Sequence, residues 1–228
     1  MNKNRLPKYS SPHYIKKEIK LLLYKLFTLK RNIDLFLIII EKQNENYLLE
    51  YLPNISTVVL DSLNNRIILE LFKLVVDSDK NDLSVQSLLN KYSKHKTIFK
   101  NKKYMYIFDK KTGMRKRFYI NTTRIEDCFN KLKHDLDNCN VSIKTLSIYR
   151  NKLIAHNDKS YNYDNRLIYD EEVILYEDIS KTVELLISDL NDIHLSIIGN
   201  KIEIKYHEKE EFELLNKVFN SYLKEVTK

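Results

Sequence analysis

Glycine and proline are nearly missing from this chain: 228 residues hold 2 Gly and 3 Pro. Such sparse turn punctuation argues against a chain of many short elements and predicts long helices with few connections. Cysteine is equally scarce. Cys128 and Cys139 are the two present, and on a helix their separation would be about 16 Å, too far for a disulfide. Neither has companions at metal-ligand spacing, so a reduced, intracellular chain is expected. Long apolar runs are missing too. The most apolar, "DLFLIIIE", sets six apolar residues between charges, against the roughly 20 that a membrane span needs. The opening "MNKNRLPKYSSPHY" has no apolar core of the signal-peptide kind. A cytoplasmic protein without a membrane partner is the expectation. Phosphate-loop, HExxH and CxxC patterns are absent, and no cofactor or metal is expected.

What is present can build a core. The chain is 43% hydrophobic, with 9 Phe and 16 Tyr, and its length suits one domain. Apolar residues recur at helical spacing from about Ser11 to Gln43: Ile15, Ile19, Leu22, Leu23, Leu26, Leu29, Ile33, Phe36, Leu37 and Ile40. Further helices are predicted at about 53–76, 83–92, 122–138, 142–156 and 176–199, the last ended by Gly199. "KIEIKYH" (201–207) alternates like a short strand, and 208–226 reads as a final amphipathic helix. The predicted fold is mainly α: a helical bundle with a small β-hairpin insertion at about 94–120 and a strand–helix extension at about 199–228.

Net charge is +8, but it is not spread evenly. Lys94 to Arg117 holds ten Lys or Arg against the single acid Asp109, so this segment carries +9 and the remainder nets −1. Tyr104–Phe108 and Arg117–Ile120 flank a DKKTG turn and predict a hairpin. Lysines and arginines at Lys102, Lys103, Lys110, Lys111, Arg115, Lys116 and Arg117, interleaved with Phe99, Tyr104, Tyr106 and Phe108, suit the phosphates and unpaired bases of single-stranded nucleic acid. The alternative is a solvated hairpin whose aromatics turn back to the core.

The second concentration of chemistry is "YRNKLIAHND", residues 149–158. Taking Leu146 as zero on a helical wheel, Leu153 falls at about −20°, Ile143 at about +60° and Arg150 at about +40°, inside the apolar stripe. His156 falls at about −80°, on its edge. A buried guanidinium is costly unless it is paired with a carboxylate or binds an anion. The nearby imidazole favours the anion, because histidine suits acid–base work near neutral pH. Arg150 and His156 lie about 120° apart on the wheel, so their tips meet through arginine's reach or across a two-fold interface.

Arg150, Asn151, four residues and His156 resemble the Arg…His signature of the HEPN superfamily, and "RNKLIAHND" is similar to the motif of its abortive-infection AbiU-type branch. "LELFKLVVDSDKNDLSVQSLL" and "ILYEDISKTVELLISDL" resemble the flanks of that motif. The resemblance implies a HEPN-like helical bundle that dimerises with its motifs face to face. It also implies a metal-independent endoribonuclease, a toxin or phage-defence effector that an antitoxin or defence-system partner would control; the alternative is a non-catalytic HEPN dimer that binds RNA, nucleotide or a partner protein. Cleavage by the ribose 2′-OH needs a proton-moving group and a cation at the phosphorane, roles that His156 and Arg150 would fill. Asn151 would orient phosphate or imidazole, and Lys152 would hold phosphate. Asp158 would either orient His156 or cap the following loop, the second being preferred.

Overall fold

The computed structural model of the protein describes residues 12–41, 53–77, 83–100, 104–108, 113–139, 146–147, 176–204, 210, 213–214 and 217. Among these residues the named elements are, in order, α1 (Pro12–Glu41), α2 (Pro53–Val75), α3 (Val85–Lys100), β1 (Tyr104–Phe108), β2 (Arg115–Tyr119), α4 (Thr122–Asp137) and α5 (Tyr176–Ile198). The chain is mainly helical. It forms two compact units, each drawn from three separate stretches. One holds α1 to Phe27, α2 from Lys73, α3, the two strands, α4 and α5 from Lys181; the other holds Thr28 to Phe72, Leu146–Ser147 and α5 to Ser180.

In the first unit the stripes are buried as their spacing demands. Ile15, Ile19, Leu22 and Leu26 of α1 are fully buried, as are Ile125, Phe129, Leu132 and Leu136 of α4. Val183, Leu186, Leu190, Ile193 and Ile197 supply the same kind of stripe from α5. Each such side chain contributes about 1.5–3 kcal/mol relative to an exposed one. Tyr92 of α3 stacks on Phe129 of α4, with ring centroids 3.7 Å apart and planes 4° apart.

Helix ends follow from local chemistry. Asn121 caps α4, its side chain accepting the Arg124 N–H at 3.0 Å. Ser84 caps α3 by accepting the Ser87 N–H at 3.0 Å, and its hydroxyl donates to the Asp77 carbonyl. Gly199 follows α5 at φ +86°, a left-handed position that glycine takes without strain, and its N–H reaches the Leu195 carbonyl at 2.8 Å.

Three boundaries differ from those predicted. Helix α3 continues eight residues past Tyr92, to Lys100, because Phe99 lies two turns on from Tyr92 and is also buried. Lys94, Lys96 and Lys100 therefore sit on a helix, and the ribbon begins at Tyr104. Residues 201–204 form no strand. Instead the Asn191 amide holds this segment, donating to the Ile202 carbonyl at 3.0 Å and accepting the Ile202 N–H at 2.8 Å. A side chain here does what a neighbouring strand would have done. The rest of the predicted extension, apart from single residues, and most of the helix predicted at 142–156 lie outside the described residues.

In the second unit Leu29, Ile33, Phe36 and Ile39 of α1 are buried, with Ile67, Ile68, Leu71 and Phe72 of α2. Phe36 stacks on Tyr176, centroids 4.2 Å apart, and the Tyr176 hydroxyl donates to the Asn64 side chain.

Candidate nucleic-acid interface

The basic segment folds around an antiparallel ribbon. Tyr104 pairs with Tyr119, Tyr106 with Arg117, and Phe108 with Arg115; Met105 pairs with Phe118 and Ile107 with Lys116. Strand residues alternate between faces, so positions 104, 106, 108, 115, 117 and 119 share one face. That face collects four aromatic residues and two arginines. Met105, Ile107, Lys116 and Phe118 share the other. Gly113, at φ +68°, supplies the left-handed step just before β2, where any side chain would be strained.

The first face is open where its side chains are described. Tyr119 is 70% exposed and Arg117 is exposed beside it. The Arg117 guanidinium lies 5.3 Å from the Tyr119 ring centroid, a cation–π contact. An exposed ring next to a guanidinium offers a base something to stack on and a phosphate something to pair with.

Of the predicted site residues, Arg117 is therefore on the open ribbon face. Arg115 and Lys116 belong to β2 and fall on opposite faces, but their side chains lie outside the described residues. So do Lys102, Lys103, Lys110 and Lys111, and the whole of the motif cluster: Arg150, Asn151, Lys152, His156 and Asp158. Leu146, the reference position of the motif helix, is helical and buried.

Other polar groups of the first unit are mostly satisfied in pairs. Lys91 reaches Glu18 at 2.5 Å, and Lys201 reaches Asp192 at 3.1 Å. Lys131, half exposed, donates at 2.6 Å to Asp189, whose side chain is fully buried. Burial pushes Asp189 above the usual carboxylate range; the Lys131 ammonium opposes that shift and Asp135 adds to it. The hydrogen bond to Asp189 pushes Lys131 up in turn. His194 is buried and held neutral by that burial, with Nδ1 at 2.7 Å from the Asn200 carbonyl. Cys128 and Cys139 are not joined in a disulfide, and Cys128 Sγ lies 3.6 Å from Ser196 Oγ. Among the described residues no three His, Cys, Asp or Glu side chains gather as a metal site, and no helix is long and apolar enough to cross a membrane.

A feature that the sequence did not signal is a groove of about 280 Å³ between α3 and α4. Its residues lie on two helices and at least thirty positions apart in sequence, and only the pairing of those helices brings Asn90 and Asn130 to one opening.

No protein-family model, no curated protein and no solved structure matches this chain.

Proposed function

We propose that this chain is a HEPN-like, metal-independent endoribonuclease that holds single-stranded RNA on its basic ribbon and cuts it with Arg150 and His156 at a two-fold dimer interface. The observation that carries the binding half is the open ribbon face, where Arg117 and Tyr119 sit together inside a segment of net +9. Arginine forks match phosphate oxygens, and aromatic faces accept unpaired bases regardless of sequence. The cleaving half rests on the resemblance of "RNKLIAHND" to the HEPN motif.

The chemistry follows from those residues. The ribose 2′-oxygen attacks the adjacent phosphorus, the P–O5′ bond breaks, and the 5′-oxygen leaves with a proton. His156 moves protons between the 2′-hydroxyl and the leaving oxygen, and the products are a 2′,3′-cyclic phosphate and a 5′-hydroxyl. Arg150 stabilises the charge that builds on the phosphorane. Asn151 orients the phosphate or the imidazole, and Lys152 adds a cation. A cell would use such an activity as a toxin or phage-defence effector, with a protein partner holding it in check.

Expression in a bacterial host tests this reading. Growth arrest by the wild type, lost in a His156→Ala protein that accumulates to the same level, is the expected result. Arrest that persists in His156→Ala would remove the catalytic role of the motif and leave an RNA-binding module.

A further inference from the structure

We infer that the groove between α3 and α4 is a base-binding subsite, taking one nucleobase of the strand held by the ribbon; this rests on the RNA reading above. The apolar part of its lining is Leu89, Tyr92 and Phe129, the last two stacked ring on ring. The walls carry hydrogen-bonding groups. Asn90 and Ser93 come from α3, Asn130 and Lys133 from α4. Ser93, Asn130 and Lys133 are exposed and make no hydrogen bond or ion pair with other described residues. Their donors and acceptors are therefore free for a ligand.

The charge balance selects the ligand's class. Lys96 of α3 lies 4.0 Å from Glu126 of α4, and Lys133 and Asp137 are one turn apart on α4, so the groove's lining is neutral overall. A phosphate would gain from two cations and lose to two carboxylates. A neutral, planar ring with donors and acceptors along its edge meets no such opposition, and asparagine amides match that edge in pairs of hydrogen bonds. The Tyr92 hydroxyl, pushed up to about 12 by burial and by Glu126 and Asp127, stays a donor at any cellular pH. The volume falls just under the range of about 300–1,000 Å³ common for ligand sites, enough for one base rather than several.

Chain continuity points to the same strand. The ribbon is the connection between α3 and α4, so the groove opens between the two helices that carry the ribbon. Lys96 belongs both to the groove and to the +9 segment. Phosphates held by the basic segment thus place their bases close to a neutral, amide-lined slot.

Two dodecamers with 2′-O-methyl riboses, which cannot be cut through a 2′-hydroxyl, test the inference by fluorescence anisotropy: one of mixed sequence, the other abasic throughout. Asn130→Tyr fills the groove from an exposed position, and Ser93→Tyr does so from the facing helix. Each is expected to bind the base-bearing oligomer about tenfold more weakly than the wild type, on the scale of one lost base contact. Affinity for the abasic oligomer and the salt slope should not change, and thermal melting should show both variants folded. Variants that bind the base-bearing oligomer as tightly as the wild type would overturn the groove inference and leave the RNA reading standing. A wild type that binds neither oligomer would overturn both.

Discussion

Removing the two halves of the Lys131–Asp189 pair should have unequal effects. Asp189 is fully buried, its Oδ2 has no hydrogen-bond partner among the described residues, and Lys131 holds Oδ1 from a half-exposed position. Lys131→Met leaves a buried carboxylate without its cation. Breaking a wholly buried pair this way costs about 3–5 kcal/mol; because water reaches the lysine side here, about 2–3 kcal/mol is expected at pH 7. Asp189→Asn keeps the shape, removes the buried charge and offers an amide donor towards Asp135, so it should cost under about 1 kcal/mol. The double variant should therefore be more stable than Lys131→Met alone. The pH dependence has a definite sign. Asp189 is raised above its unfolded value, so the folded state takes up a proton more readily than the unfolded chain as pH falls towards that value. Lys131 opposes that rise, so in Lys131→Met the carboxyl is raised further and takes up its proton before the wild type does, and the deficit should shrink as pH falls below neutral. Urea unfolding followed by far-ultraviolet circular dichroism measures all of this. Equal losses from the two single variants, or a double variant as unstable as Lys131→Met, would refute the reasoning.

Three further outcomes are expected. Changing Lys110, Lys111, Arg115, Lys116 and Arg117 together to Gln should weaken single-stranded RNA binding and flatten its salt dependence by up to about 3.5 in the log–log slope, with an unchanged melting curve; an unaltered slope would show the ribbon to be only solvated. Tyr119→Ala should lower affinity about fivefold or more with the slope intact, because it removes a stacking face and no charge. Light scattering at micromolar concentration should give a two-fold dimer, and a monomer at concentrations that cut RNA would sink the shared site.

Much of the helical fold was legible because its stripes are strict. Ile125, Phe129, Leu132 and Leu136 were readable as the inner face of α4 from spacing alone, and all four are buried. The end of α1 was less so. Leu37 and Ile40 continue the pattern on paper, yet Ile39 is buried and Ile40 is 45% exposed. Burial there follows Phe36, which stacks on Tyr176, and a contact so distant in sequence leaves no periodic trace. The end of α3 was obscured by lysines, which mask an apolar stripe whose next member is Phe99. The charge of the ribbon was plain in the sequence. Its register was not: a slip of one residue would send Arg115 and Arg117 to the face of Met105 and Ile107, and only strand pairing decides between the two.

The most direct test of the account is RNA cleavage by the purified protein in EDTA, with the product ends identified. Cleavage should persist under chelation and leave 2′,3′-cyclic phosphates. His156→Ala and Arg150→Ala, shown to be folded, should each cut about a hundredfold more slowly or worse, and Arg150→Lys should fail as well, because an ammonium cannot reproduce the guanidinium fork. Folded variants that cut like the wild type, or wild-type cleavage abolished by EDTA, would contradict it.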